Sequence, residues 1–313
     1  MILRQRQKPI VLEKLEVLSN RLLPDNPEIP KIEREVAQRQ AGYKGELRLD
    51  YFLRYLPQTY SILNDVTLVL DHVKTQFDSI IISNQAIYLI EVKNITGTVT
   101  VDTTLRQFTR ENGQGLEGFD DPITQVENAT LFLNKWLRAH HLEGLPVFNF
   151  IGIASSKTII NVTGDESPPR FTYVNAIPGR IIAMNEKLEK SNHQLKTSII
   201  QKLQENTATF DFDIFKYFRI QPSDIQTGVQ CPACGALTMI WKRENWRCST
   251  CQRAASYAHH QALRDYQILF NYEMTNAQCR HFLYLSCRFV ARRMLISAGY
   301  RLKKTSQTWT RQK

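Results

Sequence analysis

A chain of 313 residues is long enough for two or three domains. It shows no charged start followed by a sustained apolar core, and no run near the ~20 apolar residues of a membrane span, which excludes secreted and membrane-spanning classes and leaves a soluble, cytoplasmic protein as the expectation. The formal charge of +10 sits almost wholly at one end: residues 274–313 hold nine Lys and Arg with no Asp or Glu, leaving +1 for the first 273 residues. Such a block favours phosphate backbones through counterion release. The plainer alternative is a solubilising tail.

Residues 1–35 are expected to form an N-terminal helical segment. An amphipathic helix runs from Val11 to Leu23, closed by Pro24, Pro27 and Pro30. It either packs on the next domain or serves a homo-oligomer or a protein partner. A second helix is opened by Gly42-Tyr-Lys-Gly-Glu46 and carries apolar residues at Leu49, Phe52, Leu53 and Leu56.

The next stretch carries chemistry. Ile80–Ile82 and Ala86–Val92 are apolar runs separated by Ser83-Asn84-Gln85, the pattern of a β-hairpin with a short polar turn. The two-residue period of a strand puts Glu91 and Lys93 on one face, with Asp78 able to lie near them. Two carboxylates suffice to anchor a hard cation such as Mg²⁺, which keeps several waters. A bound cation polarises a phosphoryl oxygen and activates water, and Lys93 could orient that water or screen developing charge. The alternative is an ordinary strand end with Lys93 paired to Glu91 or Asp78.

Around this hairpin stand Asn94-Ile-Thr-Gly97 and Pro122-Ile-Thr-Gln125-Val-Glu-Asn128, the latter opening another helix. From about Ala41 to Trp136 this series of blocks resembles the nuclease-related domain (NERD) family of the PD-(D/E)XK nuclease superfamily. Phe77, not proline, precedes Asp78. The resemblance implies an α/β fold of restriction-endonuclease type, a mixed β-sheet flanked by helices. It matches Asp78 and Glu91 to the acids that bind Mg²⁺ or Mn²⁺ and Lys93 to the motif lysine. Glu46 matches the glutamate of the first helix, and Gln125 the glutamine of the helix after the core. The implied activity is metal-dependent hydrolysis of DNA phosphodiesters. The competing reading is an inactive nuclease scaffold that binds DNA or RNA or regulates.

Val147–Ala154 reads as a further buried strand, Gly164–Pro169 as an exposed loop and Ser191–Asn206 as a helix, completing a domain over 36–206. Residues 207–228, around Phe210–Asp213 and Pro222, are expected to be a linker.

Residues 229–254 contain Cys231-Pro-Ala-Cys234 and Cys248-Ser-Thr-Cys251, two CxxC knuckles thirteen residues apart. This spacing can present four thiolates to structural Zn²⁺, forming a zinc ribbon. Two disulfides are the alternative, disfavoured in a reducing compartment. Leu237–Trp241 and Asn245–Arg247 can pair as a hairpin. Trp241, Lys242, Arg243, Trp246 and Arg247 either touch nucleic acid or, for the two tryptophans, pack against a neighbour. Cys279 and Cys287 fall on apolar helix faces and are expected to pack.

Residues 255–313 read as a helix over Ala255–Phe270, a short helix capped by Thr275, and a third capped by Ser286 and ending before Gly299. Cys287, Val290, Ala291, Met294, Leu295 and Ala298 form an inward stripe on the third helix. Tyr300–Lys304 and Thr308–Gln312 can pair as a hairpin. The order resembles a winged helix-turn-helix. That likeness implies Arg288, Arg292 and Arg293 as DNA contacts on the third helix and Lys303 and Lys304 as contacts from the wing; the alternative is a helical cap on the ribbon. His140, His141, His259 and His260 are expected at the surface or at helix ends, without a role.

Overall fold

The computed structural model describes all residues except 114, 165–169, 190–192, 209–211, 271–272, 304 and 312–313. The expected loop at 165–169, the helix start at Ser191, Phe210 of the linker, Lys304 and Gln312 therefore lie outside the described residues. Two compact units emerge, and they cut across the expected segments. The first is Met1–Pro9 with Gln38–Asp211; the second is Ile10–Ala37 with Phe212–Lys313. Residues 1–35 are thus not one segment: nine of them join the first unit and the remainder the second.

The elements in chain order begin with β1 (Ile2–Arg4), α1 (Ile10–Arg21) and α2 (Ile29–Leu53). Strands β2 (Ser61–Leu70), β3 (Val73–Ile82), β4 (Ile87–Lys93), β5 (Thr98–Asp102), β6 (Gln107–Asn112) and β7 (Gly115–Phe119) follow, then α3 (Pro122–Ala139). Next come β8 (Val147–Ile153), β9 (Ile159–Thr163), β10 (Phe171–Tyr173), α4 (Ile177–Asn185), α5 (His193–Asn206) and α6 (Ile214–Phe218). The last part holds β11 (Met239–Lys242), β12 (Asn245–Cys248), α7 (Ala258–Leu269), β13 (Glu273–Met274), α8 (Asn276–Leu283), α9 (Arg288–Ser297), β14 (Arg301–Lys303) and β15 (Thr308–Thr310).

The first unit is built on a mixed sheet ordered β1-β2-β3-β4-β8-β10. Its centre is antiparallel, β2 to β3 to β4, while β1, β8 and β10 pair in parallel. Strands buried on both faces read as continuous apolar runs, and Ile80–Ile82 and Ile87–Ile90 do. Alternation then sorts them. Ile81, Tyr88, Ile90 and Val92 pack with Leu49 and Leu53 of α2 and Ile177 and Ile181 of α4. Ile80, Ile82, Ile87 and Leu89 pack on the other face with Leu133 and Trp136 of α3 and Ile199 and Leu203 of α5. The result is three layers, helix on sheet on helix. A second sheet, ordered β7-β6-β5-β9, packs Val99, Val101 and Phe108 against Ile123 and Val126 of α3 and Ile151 and Ile153 of β8.

The second unit places Val11, Leu15 and Leu18 of α1 with Ile214, Phe218, Ile225 and Leu269. Leu12 is buried as well. The apolar face of α1, expected either to pack on the next domain or to serve self-association, is covered within the second unit. Its register is fixed by buried Arg21, whose Nε donates to Asp265 at 2.7 Å and whose Nη1 donates to the carbonyls of Gln226 and Gly228. Strands β11 and β12 form the expected hairpin, with Arg243 and Glu244 both at positive φ in the turn. Beyond it the order is α7-β13-α8-α9-β14-β15, with β13, β15 and β14 in one small sheet. Thr275 and Gln278 cap α8 reciprocally. The α9 cap differs from expectation: the helix begins at Arg288 after Cys287, with no side-chain cap. Cys287 is exposed rather than part of the inward stripe, because it precedes the first helical turn. Among the described residues, no helix is long and apolar enough to cross a membrane.

Candidate active site

The hairpin register pairs Ser79 with Ile90 and Ile80 with Leu89, so Asp78 and Glu91 come next on their strands at the same end. Asp78 Oδ2 accepts a hydrogen bond from the backbone N–H of Val92 at 2.8 Å, locking that carboxylate against β4. Lys93 Nζ donates to Glu91 Oε1 at 2.9 Å and to Gln125 Oε1 at 2.7 Å. Gln125 lies in the first turn of α3, whose start is set by Asp121: its carboxylate accepts from the N–H groups of Ile123 and Thr124. Pro122 occupies the first helical position, where a missing N–H costs nothing.

Glu46 is delivered by α2, and a glycine makes that delivery possible. A Cβ on Gly45 would stand 2.6 Å from the Cβ of Asn94, just beyond β4. Asn94 in turn donates from Nδ2 to the carbonyl of Ala41 at 2.7 Å. Gly42, by contrast, faces open space. The second glycine of the Gly42–Glu46 block is therefore the one that packing requires.

Arg6, which no sequence pattern marks, stands at the heart of this cluster. Its side chain is 1% exposed. Nη1 donates to Glu46 Oε2 at 2.9 Å, Nε to Asp50 Oδ2 at 3.0 Å, and Nη2 to the carbonyl of Asp78 and the hydroxyl of Ser79. Asp65 also lies 3.7 Å from Nη1. Asp65 has a φ of 57° within β2, where the register steps from Asn64↔Ser79 to Val66↔Phe77. This kink lies across from Asp78, and aspartate tolerates the left-handed conformation better than most residues. The spacing of Glu46 and Asp50, one helical turn apart, is the trace of this arrangement in the sequence.

Five carboxylates, Glu46, Asp50, Asp65, Asp78 and Glu91, thus share a neighbourhood with Arg6 and Lys93. Burial pushes Asp78 well above the usual carboxylate range, and the negative charges of Glu91 and Glu46 push it further. Burial likewise raises Glu46 and Asp50, with Arg6 opposing the shift in both. This excess of negative charge is the donor chemistry of a hard divalent cation. The carboxylates do not close into a three-acid cage: among the described residues, only the four cysteines bring three or more metal-ligating side chains of Cys, His, Asp or Glu within reach of one ion. A cation that keeps most of its waters needs no such cage, so Asp78 and Glu91 fit Mg²⁺ or Mn²⁺.

Residues 41–153 match the family model described as the nuclease-related domain, NERD. Over that span the chain is similar to a nuclease-related domain. No curated protein and no solved structure matches the chain. The matched span holds Glu46, Asp78, Glu91, Lys93 and Gln125, together with Gly45 and Asp121; Arg6 lies outside it. The nuclease-related domain also includes Asp50 and Asp65, which approach Arg6.

In the second unit, the sulfurs of Cys231 and Cys251 lie 3.6 Å apart, as do those of Cys234 and Cys248. All four ligand atoms fall within 4.8 Å of one another. Zn–S bonds of about 2.3 Å in a tetrahedron put sulfurs roughly 3.8 Å apart, so the group fits Zn²⁺. All four are free thiols, against the disulfide alternative. The Thr238 hydroxyl and the Cys251 N–H approach the Cys248 sulfur and favour its thiolate, holding it down to about 5.

Trp246 is fully buried, which removes it from the candidate nucleic-acid contacts. Its Nε1 donates to Nδ1 of His259 at 3.0 Å, and Nε2 of His259 meets the Ser297 hydroxyl at 2.7 Å. His259 thus lies at a helix end, the start of α7, but is buried in the core rather than at the surface. Trp241 packs partly against the same core. Arg288, Arg292, Arg293 and Lys303 are exposed. Arg293 lies 3.6 Å from Glu244, Lys303 bonds Glu273 at 3.1 Å, and the Arg288 guanidinium lies 4.8 Å from the centre of the Phe289 ring.

Proposed function

We propose that the protein is a metal-dependent nuclease of PD-(D/E)XK type that hydrolyses DNA phosphodiester bonds. The observation that carries this reading is Lys93, bonded at once to Glu91 and Gln125 beside the half-buried Asp78. Asp78 and Glu91 would hold Mg²⁺ or Mn²⁺, which when bound supplies a polarised phosphoryl oxygen and a more acidic water. An ammonium has three protons, and two of those on Lys93 are engaged. The third can hydrogen-bond a non-bridging phosphoryl oxygen as charge builds there. Gln125 and Glu91 hold Lys93 in that orientation. Glu46, gripped by Arg6, supports the metal's outer waters. Water attacks phosphorus and loses a proton to solvent, the bond to one ester oxygen breaks, and that oxygen takes a proton from solvent as it leaves.

The second unit supplies affinity in this reading. Cys231, Cys234, Cys248 and Cys251 would bind Zn²⁺ as a structural staple, since the hairpin is too small for a core of its own. The helix–strand–helix–helix–strand–strand order supports a winged helix-turn-helix, with Arg288, Arg292 and Arg293 of α9 and Lys303 of β14 facing DNA phosphates and bases. Lys304 belongs to the same expected wing.

A plasmid-nicking assay with Mg²⁺, Mn²⁺ or EDTA tests the proposal. Nicking by wild type that EDTA stops and Asp78→Asn abolishes is the expected result. Nicking that survives in Asp78→Asn overturns the assignment. DNA binding without nicking in any metal favours the inactive scaffold instead, and stronger binding to competitor RNA than to DNA redirects the substrate.

A further inference from the structure

Helix α2 carries a second face that the acids do not use. Glu46 and Asp50 form the stripe turned to Arg6. One residue further round, by about 100°, Leu47 and Tyr51 form a parallel stripe, which Tyr55 extends from the turn just beyond the helix end at Leu53. Their exposures are 42%, 52% and 66%, so three large side chains in a row stand open to solvent. The Tyr51 and Tyr55 rings stand 6.2 Å apart, nearly perpendicular.

The charges flanking this stripe are all positive. Lys44 precedes Tyr51 by two turns, Arg48 precedes Tyr55 by two turns, and both are exposed. Exposed Arg54 lies 6.0 Å from the centre of the Tyr51 ring, and its charge also reaches Asp50. Arg54 thus links the aromatic stripe to the acid stripe. No Asp or Glu falls between Lys44 and Tyr55 on this outer face, since Glu46 and Asp50 turn inward. A polyanion with flat apolar faces matches such a surface. Base faces are available only where they are not stacked inside a duplex.

We infer that the outer face of α2, continued by the turn after it, is a track for an unpaired DNA strand, with Tyr51 and Tyr55 stacking on bases and Lys44, Arg48 and Arg54 meeting phosphates beside the acids. The inference rests on the nuclease reading, to which it adds the substrate form: single-stranded DNA, or the single-stranded part of a flap or gap.

The test measures binding separately from cleavage. Fluorescence anisotropy is recorded in an Asp78→Asn background, with a thymidine oligonucleotide and a blunt hairpin duplex as probes. Tyr51→Ala with Tyr55→Ala lowers affinity for the oligonucleotide by at least about 10-fold, the scale of stacking losses, and leaves duplex affinity unchanged. Tyr51→Phe with Tyr55→Phe keeps the oligonucleotide affinity. Equal losses on both probes, or no loss on the oligonucleotide, overturn the track. So does sedimentation showing a wild-type dimer that the double alanine variant splits, since the stripe is then a contact between copies. Wild type that never nicks DNA, with the oligonucleotide loss intact, removes the nuclease reading and leaves the track standing.

Discussion

Lys93 Nζ and Gln125 Oε1 meet at 2.7 Å although 32 residues separate them, because β4 and the first turn of α3 end at the same edge of the sheet. The amide oxygen can accept but not share charge, so it orients the ammonium and leaves the proton there. Lys93→Ala removes both the orientation and the donor. Nicking should fall by roughly 10²–10⁴-fold, the range of a positioned proton donor or base, with gel-shift affinity for DNA retained. Gln125→Ala should cost less, because Glu91 still holds Lys93, and Gln125→Glu should keep the nicking that Lys93→Ala loses.

Arg6 makes a different prediction. Its guanidinium compensates Glu46, Asp50 and the carbonyl of Asp78 inside the first unit, and it is almost wholly shielded from water. Removing one partner of such a group leaves the others buried and uncompensated, at about 3–5 kcal/mol. Arg6→Ala should therefore lower the urea midpoint of the first unit far more than alanine at an exposed arginine such as Arg54. Arg6→Lys should recover only part of the loss, since an ammonium cannot bond Glu46 and Asp50 with the same fork. Unchanged stability in Arg6→Ala would remove the residue from the site's framework.

What the sequence carried and what it did not follows one physical line. The Ile80–Ile82 and Ala86–Val92 runs dictate a hairpin, and strand period two then groups Asp78, Glu91 and Lys93. Thr275 with Gln278 states its helix start outright. These are local patterns. Arg6 is invisible because a three-residue strand, β1, joins the sheet only by pairing with β2, some 60 residues on. The second sheet is hard to read because β5, though it alternates, spans only five residues, β6 has one buried residue and β7 is exposed throughout. His259 reads as a helix-end residue, which it is, but its burial comes from Trp246 and Ser297, which no periodicity connects to it. Gly45 was noticed as part of a motif, but only Asn94 explains it.

Exposed arginines on α9 make a salt-dependence prediction. Each phosphate contact contributes about 0.9 to the slope of log affinity against log salt on duplex DNA. Arg288→Ala with Arg292→Ala should flatten that slope by roughly 2 if both meet phosphates, with weaker binding at every salt concentration. If either reads a base, the slope falls less and discrimination between sequences falls with it. A slope identical to wild type would detach α9 from DNA.

Zinc removal should reach beyond the hairpin. Buried Cys231 and Cys248 share a core with Met239, Trp246, Leu263, Phe282 and Leu295, so the ribbon and the helices after it are one packed body. Metal binding to four thiolates supplies folding free energy to such a region. Purified protein should release one zinc per chain to a mercurial reagent. Cys234→Ser should lose the metal and lower the thermal midpoint of the second unit while sparing the first. Full retention of that midpoint without zinc would refute the staple.

Acid should loosen the same unit through His259. Trp246 Nε1–H points at Nδ1, so that nitrogen must accept, and Nε2 must carry the proton donated to Ser297. A second proton on Nδ1 would face an N–H donor inside the core. Burial, aided by the charge His260 acquires beside it, pulls the His259 pKa from 6.5 down to about 4. The folded form therefore binds fewer protons than the unfolded form between these values, and stability rises with pH there. It should be fully present above 6.5, decline as pH falls, and level off below 4, by at most about 1.4 kcal/mol per pH unit. Urea unfolding of zinc-loaded wild type, compared with His259→Gln at each pH, isolates this group from proton competition at the cysteines. His260→Gln should keep most of the dependence. Parallel pH profiles for wild type and His259→Gln would show that the Trp246–His259–Ser297 chain carries no proton linkage.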